Sequence, residues 1–385
     1  MKILLTTDGY APMINGVVTS VMNLQRVLTN RGHEVRVLTL SNDEHSSFKE
    51  GVYYLASFRI PIYRDLHATL HIPQVFMQDI LSWKPDIVHS QCEFFTFGFA
   101  RRIAQRSNVP LVHTYHTMYE SYARYVKLNE RMGDMAVPHF LQRRLRNLQM
   151  IIAPTQKVAD ALKSYRLTSP ISIVPTGIDL SKFTLRESRE NLEKRKASLG
   201  LNPDSVILLS VGRIAQEKNP EELLKNMVPL VQDFPKLVLL FIGDGPQREY
   251  LADRIRTLNL SGRVFFSGMV NPTEIASYYQ LGTIFVSASD SETQGLTYIE
   301  AMASGLPVIC RYDSCLKNVI KEGIDGFTYT KASEYVSAIT HTLTDKELYE
   351  SLSSQARILA KEYSIERFGE EIERIYLQCI DTYKA

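Results

Sequence analysis

Ten short apolar runs recur along this chain, and each ends in a polar, Gly or Pro turn. They are MKILLTTD, HEVRVLTL, DIVHSQ, PLVHTYH and MIIAPT in the first half. VILLSVGRI, LVLLFIGDGP, VFFSGMV, TIFVSAS and LPVICRY follow in the second. Such runs suit strands buried on both faces, as in a parallel sheet covered by helices. Between the first two runs, Val17, Val21, Leu24 and Leu28 recur at helical spacing up to Gly32, which makes a strand–helix–strand unit. The repetition predicts two doubly wound α/β domains facing a cleft, with ligands beyond the carboxyl ends of the strands.

The length of 385 residues fits two domains of about 150–200 residues each. The boundary falls at the Pro-Thr-Gly turn of SIVPTGIDLSKF (172–183), giving domains 1–178 and 179–363. The final segment carries Ile365, Phe368, Ile372, Ile375 and Cys379 on one face. It reads as an amphipathic helix (364–385) docking back on the first domain. With 44% hydrophobic and 22% charged residues the balance is globular, and no apolar run approaches the roughly 18 residues of a membrane span. The N-terminal run leads straight into a turn and reads as a first strand, not a signal peptide. Cys92, Cys310, Cys315 and Cys379 have neither CxxC nor zinc-site spacing, and read as free thiols of a reducing compartment. Charge is uneven. Residues 1–178 carry 20 Lys and Arg against 13 Asp and Glu, net +7, whereas the remainder is net −5. The first domain is therefore the candidate for an anionic surface or substrate.

The chemistry-bearing residues stand at strand ends. Gly212-Arg213 and then Lys218 follow VILLSV, so two cations share one short loop, as suits a diphosphate. Gly16 opens the first helix and offers backbone N–H groups to an anion, but the loop lacks the G-x-G-x-x-G of a nicotinamide dinucleotide site. IGDGP (242–246) reads as a tight turn. In SETQGLTYIEAMASGLPV, Glu292 falls on the loop after TIFV and Glu300 about two turns into the following helix. The backbone of Thr293, Gln294, Gly295 and Leu296 lies between them, at the helix start. Carboxylates accept hydrogen bonds from hydroxyls, and two at this separation can each hold a vicinal pair, such as one from a sugar and one from a ribose, although the bare spacing is not specific.

Taken together, D-G-Y-A-P-x-x-N-G-V, VGRIAQEKN, IVPTGID, GDGP, FSGMV and E-T-Q-G-L-T-Y-I-E resemble retaining glycosyltransferases of the GT-B fold, in the sucrose-synthase-like and mannosyltransferase-like family. The resemblance covers nearly the whole chain. It implies that Arg213 and Lys218 hold the donor diphosphate, Glu300 the nucleotide ribose and Glu292 a hydroxyl of the donor sugar, with the backbone near Val270 against the base. It also implies that His116 sits beside the donor sugar, where it hydrogen-bonds the sugar and the transition state. The family's opening loop has Gly-Gly where this chain has Asn15-Gly16. More narrowly, HTYHTMYESYARY (113–125), with Tyr119 and Tyr122, is similar to bacterial diacylglycerol glucosyltransferases. These are monotopic enzymes that move a hexose from a UDP-sugar to a membrane lipid.

That resemblance implies a cytoplasmic enzyme, peripheral on the inner membrane face, with a nucleotide sugar, a lipid acceptor and an anionic membrane as partners and no nucleic acid. PHFLQRRLRNLQMI (138–151) fits such docking, with Arg143, Arg144 and Arg146 crowding around a Leu141, Leu145 and Leu148 stripe. No D-x-D metal pair stands out, so cations and helix starts are expected to stabilise the leaving diphosphate without metal or cofactor. The family analogy implies retention and an α-linkage. Two alternatives stay open: transfer to a soluble or polyprenyl-linked sugar, or a sugar-nucleotide epimerase of similar fold.

Overall fold

The computed structural model describes the chain except residues 14, 42, 44, 60–66, 118–129 and 385, and describes 130–137 by backbone alone. The chain forms two compact units, Met1–Gly177 with Ile365–Ala385, and Ile178–Ser364.

The strands of the first unit are β1 (Lys2–Thr7), β2 (Glu34–Leu40), β3 (Ser47–Lys49), β4 (Val52–Leu55), the short pair β5 (Phe58–Arg59) and β6 (His67–Ala68), β7 (Ile87–Ser90), β8 (Leu111–Thr114), β9 (Met150–Ala153) and β10 (Ile171–Ile173). Eight of them form one sheet in the order β10-β9-β8-β7-β1-β2-β4-β3, parallel except for the edge strand β3. Ile3 opposes both Val35 and Ile87, and Val112 opposes Met150. Successive residues of β1 serve opposite faces. Leu4 joins Leu38, Val88 and Phe97 in one core. Ile3 and Leu5 join Val21, Leu24 and Leu28 of the helix Gly16–Asn30 in the other. The second core is completed by Phe368, Ile372, Ile375 and Tyr376 of the last helix, Ile365–Lys384. Tyr376 Oη also lies 2.6 Å from His89 Nδ1, a buried polar link between that helix and β7.

The second unit is an all-parallel sheet of β11 (Val206–Val211), β12 (Leu237–Ile242), β13 (Val264–Phe266), β14 (Ile284–Ser287), β15 (Val308–Arg311) and β16 (Gly326–Tyr329). Its order is β13-β12-β11-β14-β15-β16, the doubly wound 3-2-1-4-5-6 arrangement. The chain runs outward from β11 to β13 and then crosses to β14. The carboxyl ends of β11 and β14 therefore flank the switch point, where such sheets bind ligands. In the first unit β1 and β7 flank the equivalent point.

Ten strands lie where the apolar runs place them. β3 to β6, β10 and β16 were not expected; each spans only two to four residues, and β3, β10 and β16 lie at sheet edges. The helix around Arg143 differs from the expectation as well. It spans Glu130–Leu145, so Arg146 and Leu148 lie beyond its end. Leu141, Leu145 and Leu148 are buried in the sheet's core and present no apolar face outward. All four cysteines are free. Among the described residues, no helix is long and apolar enough to cross a membrane.

Candidate active site

The switch point of the second unit gathers most of the expected donor residues. Arg213, just past β11, is exposed. Lys218 ends the following one-turn helix Gln216–Lys218. Its Nζ lies 2.5 Å from Glu292 Oε1 on the loop after β14, and Ser291 Oγ donates to the Glu217 carbonyl at 2.9 Å. The two loops are thus joined across the switch point. Sequence reasoning gave Lys218 and Glu292 to different ends of the donor; the fold pairs them with each other, with Lys218 a third exposed and Glu292 less so. The GDG turn is explained by backbone packing. Gly243 N–H donates to the Gly268 carbonyl, and a Cβ on Gly243 would run into the Gly212 carbonyl. That leaves the turn as a tight crossing of three strand ends.

The helix after β14 begins later than expected, at Leu296, and runs to Ser304. Thr293 and Gln294 belong to the loop, and Gly295 is the N-cap at φ 75°. Only glycine fits there: a Cβ would stand 2.6 Å from the Tyr298 ring, and the φ is left-handed. Tyr298 is itself buried, with its hydroxyl 2.7 Å from Ser287 Oγ at the end of β14. Glu300 lies four residues past Leu296, which is one turn into the helix and not two. It is half-buried and accepts a 2.7 Å hydrogen bond from the hydroxyl of Tyr279. Burial pushes the Glu300 carboxyl up to about 7, against the opposing effects of the Tyr279 hydrogen bond and the Lys182 charge. Tyr279 was missed in the sequence, where it looks like any core aromatic of an SYYQ segment. Val270, in the loop after β13, packs half-buried against the core.

In the first unit, Gly16 is the exposed first residue of its helix, and Asn15 caps it by accepting the Val18 N–H at 2.9 Å. One N–H of that helix start is therefore met by the chain's own side chain. His116 follows β8 and places Nε2 2.8 Å from Gln91 Oε1, at the end of β7. Burial lowers the His116 pKa to about 4; Glu93 opposes the drop and His113 adds to it. The imidazole is neutral at neutral pH. Gln91 was not singled out in the sequence, although DIVHSQ and PLVHTYH end side by side once β7 and β8 pair in parallel. Its Nε2 is buried without a hydrogen-bond partner, as is His113 Nδ1. His113 Nε2 lies 3.1 Å from Glu93 Oε1, with both residues buried. Asp8, after β1, caps the helix Phe95–Ser107 by accepting from the N–H groups of Phe95 and Thr96 and from the Thr96 hydroxyl.

The arginine cluster divides. Arg143 and Arg146 are exposed. Arg144 is not part of that open face. It is half-buried, its Nε donates to the Glu93 carbonyl at 2.7 Å and a terminal nitrogen to the Phe94 carbonyl, and its guanidinium lies 5.1 Å from the centre of the Phe97 ring. Tyr119 and Tyr122 lie outside the described residues.

Two family descriptions match the two halves of the chain. Glycosyltransferase Family 4 matches residues 14–182, and Glycosyl transferases group 1 matches 191–359. The α-monoglucosyldiacylglycerol synthase of Streptococcus pneumoniae is 32% identical over 383 residues, covering 99% of this chain and 86% of its own. That of Acholeplasma laidlawii is also 32% identical, over 390 residues, covering 99% and 98%. The chain belongs to the glycosyltransferase family of these two synthases. An Anabaena protein solved with UDP and glucose shares the fold of this glycosyltransferase at a TM-score of 0.75 and 16% identity, over 97% of this chain and 98% of the other. The GT-B expectation holds.

Proposed function

We propose that this glycosyltransferase moves glucose from UDP-glucose to the free hydroxyl of diacylglycerol, with retention, giving an α-glucosyl lipid. The observation that carries the reading is the near-full-length kinship with two α-monoglucosyldiacylglycerol synthases. The site chemistry supports it. Departure of a nucleoside diphosphate puts negative charge on phosphate oxygens, and Arg213, Lys218 and the Leu296 helix start offer fixed positive charge and N–H groups to meet it. On this reading the reaction needs no metal or cofactor. Glu300, when ionised, accepts from the ribose hydroxyls, and Glu292 from the sugar. Neutral His116, held through Gln91, hydrogen-bonds the transferring sugar. The acceptor hydroxyl attacks from the face the diphosphate leaves.

The acceptor resides in a bilayer, and we place the enzyme peripherally on its anionic cytoplasmic face. The support is the +7 charge of residues 1–178 and the exposure of Arg143 and Arg146. Each basic residue near such a surface is worth about 1 kcal/mol. Changing both to Ser should weaken vesicle binding about thirtyfold at low salt. The deciding assay incubates the enzyme with UDP-glucose and diacylglycerol in anionic vesicles, then identifies the lipid product and its anomeric coupling. A β-anomer rejects retention. UDP-glucose turnover only with a soluble or polyprenyl-linked acceptor rejects the lipid assignment.

A further inference from the structure

We propose that an open pocket in the first unit is the site that takes an acyl chain of the acceptor; this rests on the diacylglycerol reading above. The pocket encloses about 380 Å³, within the range of small-molecule sites of roughly 300–1,000 Å³. Leu70, Phe94, Phe95, Phe99 and Phe140 form its apolar walls. The rings of Phe94 and Phe140 stack at 6.0 Å, which fastens the turn after β7 to the helix Glu130–Leu145. Three of these side chains are nonetheless left in water: Leu70 is 86% exposed, Phe140 40% and Phe94 36%. Apolar side chains gathered around one opening favour an apolar occupant over a polar one.

The two polar lining residues identify what covers it. The Thr69 hydroxyl donates to the His71 carbonyl at 3.2 Å. Arg144 commits Nε and one terminal nitrogen to the Glu93 and Phe94 carbonyls. A sugar placed here would lose water from several hydroxyls and find few partners, a net cost for each unmet group. A hydrocarbon chain loses nothing.

Position supports the same occupant. Phe94 and Phe95 directly follow the turn that carries Gln91, and Gln91 holds His116. Four residues of chain span at most about 14 Å, so the pocket lies close to the proposed reaction centre. A long acyl chain covers that distance from a hydroxyl at His116.

The test uses the full-length enzyme, UDP-glucose and monomeric diacylglycerols from diacetyl to dihexanoyl, with no bilayer present. For wild type, kcat/KM should rise about fourfold for each CH2 that enters the pocket. The exposed positions Leu70→Ser and Phe140→Ser should lose tenfold or more with dihexanoylglycerol, keep their activity with diacetylglycerol, and leave the donor KM unchanged. Variants with the wild-type chain-length dependence overturn the proposal. So do variants that lose only vesicle binding and vesicle activity while monomeric acceptors are unaffected, because the patch is then a bilayer wedge. If no diacylglycerol is glucosylated, the acceptor reading falls separately. A photoactivatable diacylglycerol then decides the pocket without turnover: labelling of the Phe94–Phe99 and Phe140–Arg144 peptides supports it, and labelling elsewhere rejects it.

Discussion

Glu300 should make the second unit less stable as pH rises, and Glu300→Gln should remove that dependence. The carboxyl has a folded-state pKa of about 7 against an ordinary 4.5. Between those values the folded chain binds more protons than the unfolded chain, so stability falls with increasing pH across that window. The full difference corresponds to about 3 kcal/mol, of which about 2–3 kcal/mol falls between pH 5 and pH 8. In a unit of this size each kcal/mol moves Tm by about 2–4 °C. Relative to wild type, Glu300→Gln should therefore gain roughly 5–10 °C at pH 8 over its margin at pH 5, since the neutral amide can still accept from Tyr279. Binding should move the opposite way. An ionised Glu300 is the better acceptor for ribose hydroxyls, so the wild-type donor KM should fall as pH rises through about 7, while that of Glu300→Gln stays high and flat. Calorimetry at the two pH values, with and without UDP, reads both effects. If wild type and variant keep the same Tm difference at pH 5 and pH 8, the carboxyl titrates normally and the argument fails.

Lys218→Ala and Arg213→Ala should each lower kcat by about 10²–10³ while the protein stays folded, measured by initial rates beside circular dichroism; near-normal turnover would remove both from the diphosphate. Gly295→Ala should destabilise the second unit by about 1–3 kcal/mol, because a left-handed φ and the Tyr298 ring both oppose a methyl group, and denaturant melts would show it. Wild-type kcat should show no His116 limb between pH 5 and 8, given a pKa of about 4, whereas Gln91→Glu should introduce an acidic limb by raising that pKa. Activity should persist in EDTA; loss on chelation with recovery on adding Mg²⁺ or Mn²⁺ would show that the cations do not suffice.

Ten of the sheet strands were legible because strands buried on both faces leave unbroken apolar runs. Gly212, Lys218 and Glu292 could be placed at strand ends for the same reason. What stayed illegible depended on contacts between distant segments. Nothing near Lys218 announces its pairing with Glu292, 74 residues on, and nothing in SYYQ marks Tyr279 as the partner of Glu300. Gln91 becomes informative only when β7 and β8 lie side by side. The leucines around Arg144 misled because a helical stripe has the same spacing whether it meets a bilayer or its own sheet. Burial at 0–4% assigns it to the sheet.

The last helix has a consequence for how the protein is made. Phe368, Ile372, Ile375 and Tyr376 cover the face of the first sheet that includes Ile3 and Leu5, and Gly369 lets the helix approach Val27 closely. The first unit's own strands end at Ile173, yet its core is not closed until Ile365–Lys384 leaves the ribosome. At about 5–20 residues per second, the intervening stretch takes roughly 10–40 s to synthesise. Through that interval the nascent first unit carries an open apolar face, suited to capture by a chaperone. A stop codon or protease cut before Ile365 should therefore spare the second unit, to which the helix is joined in sequence, and strand the first.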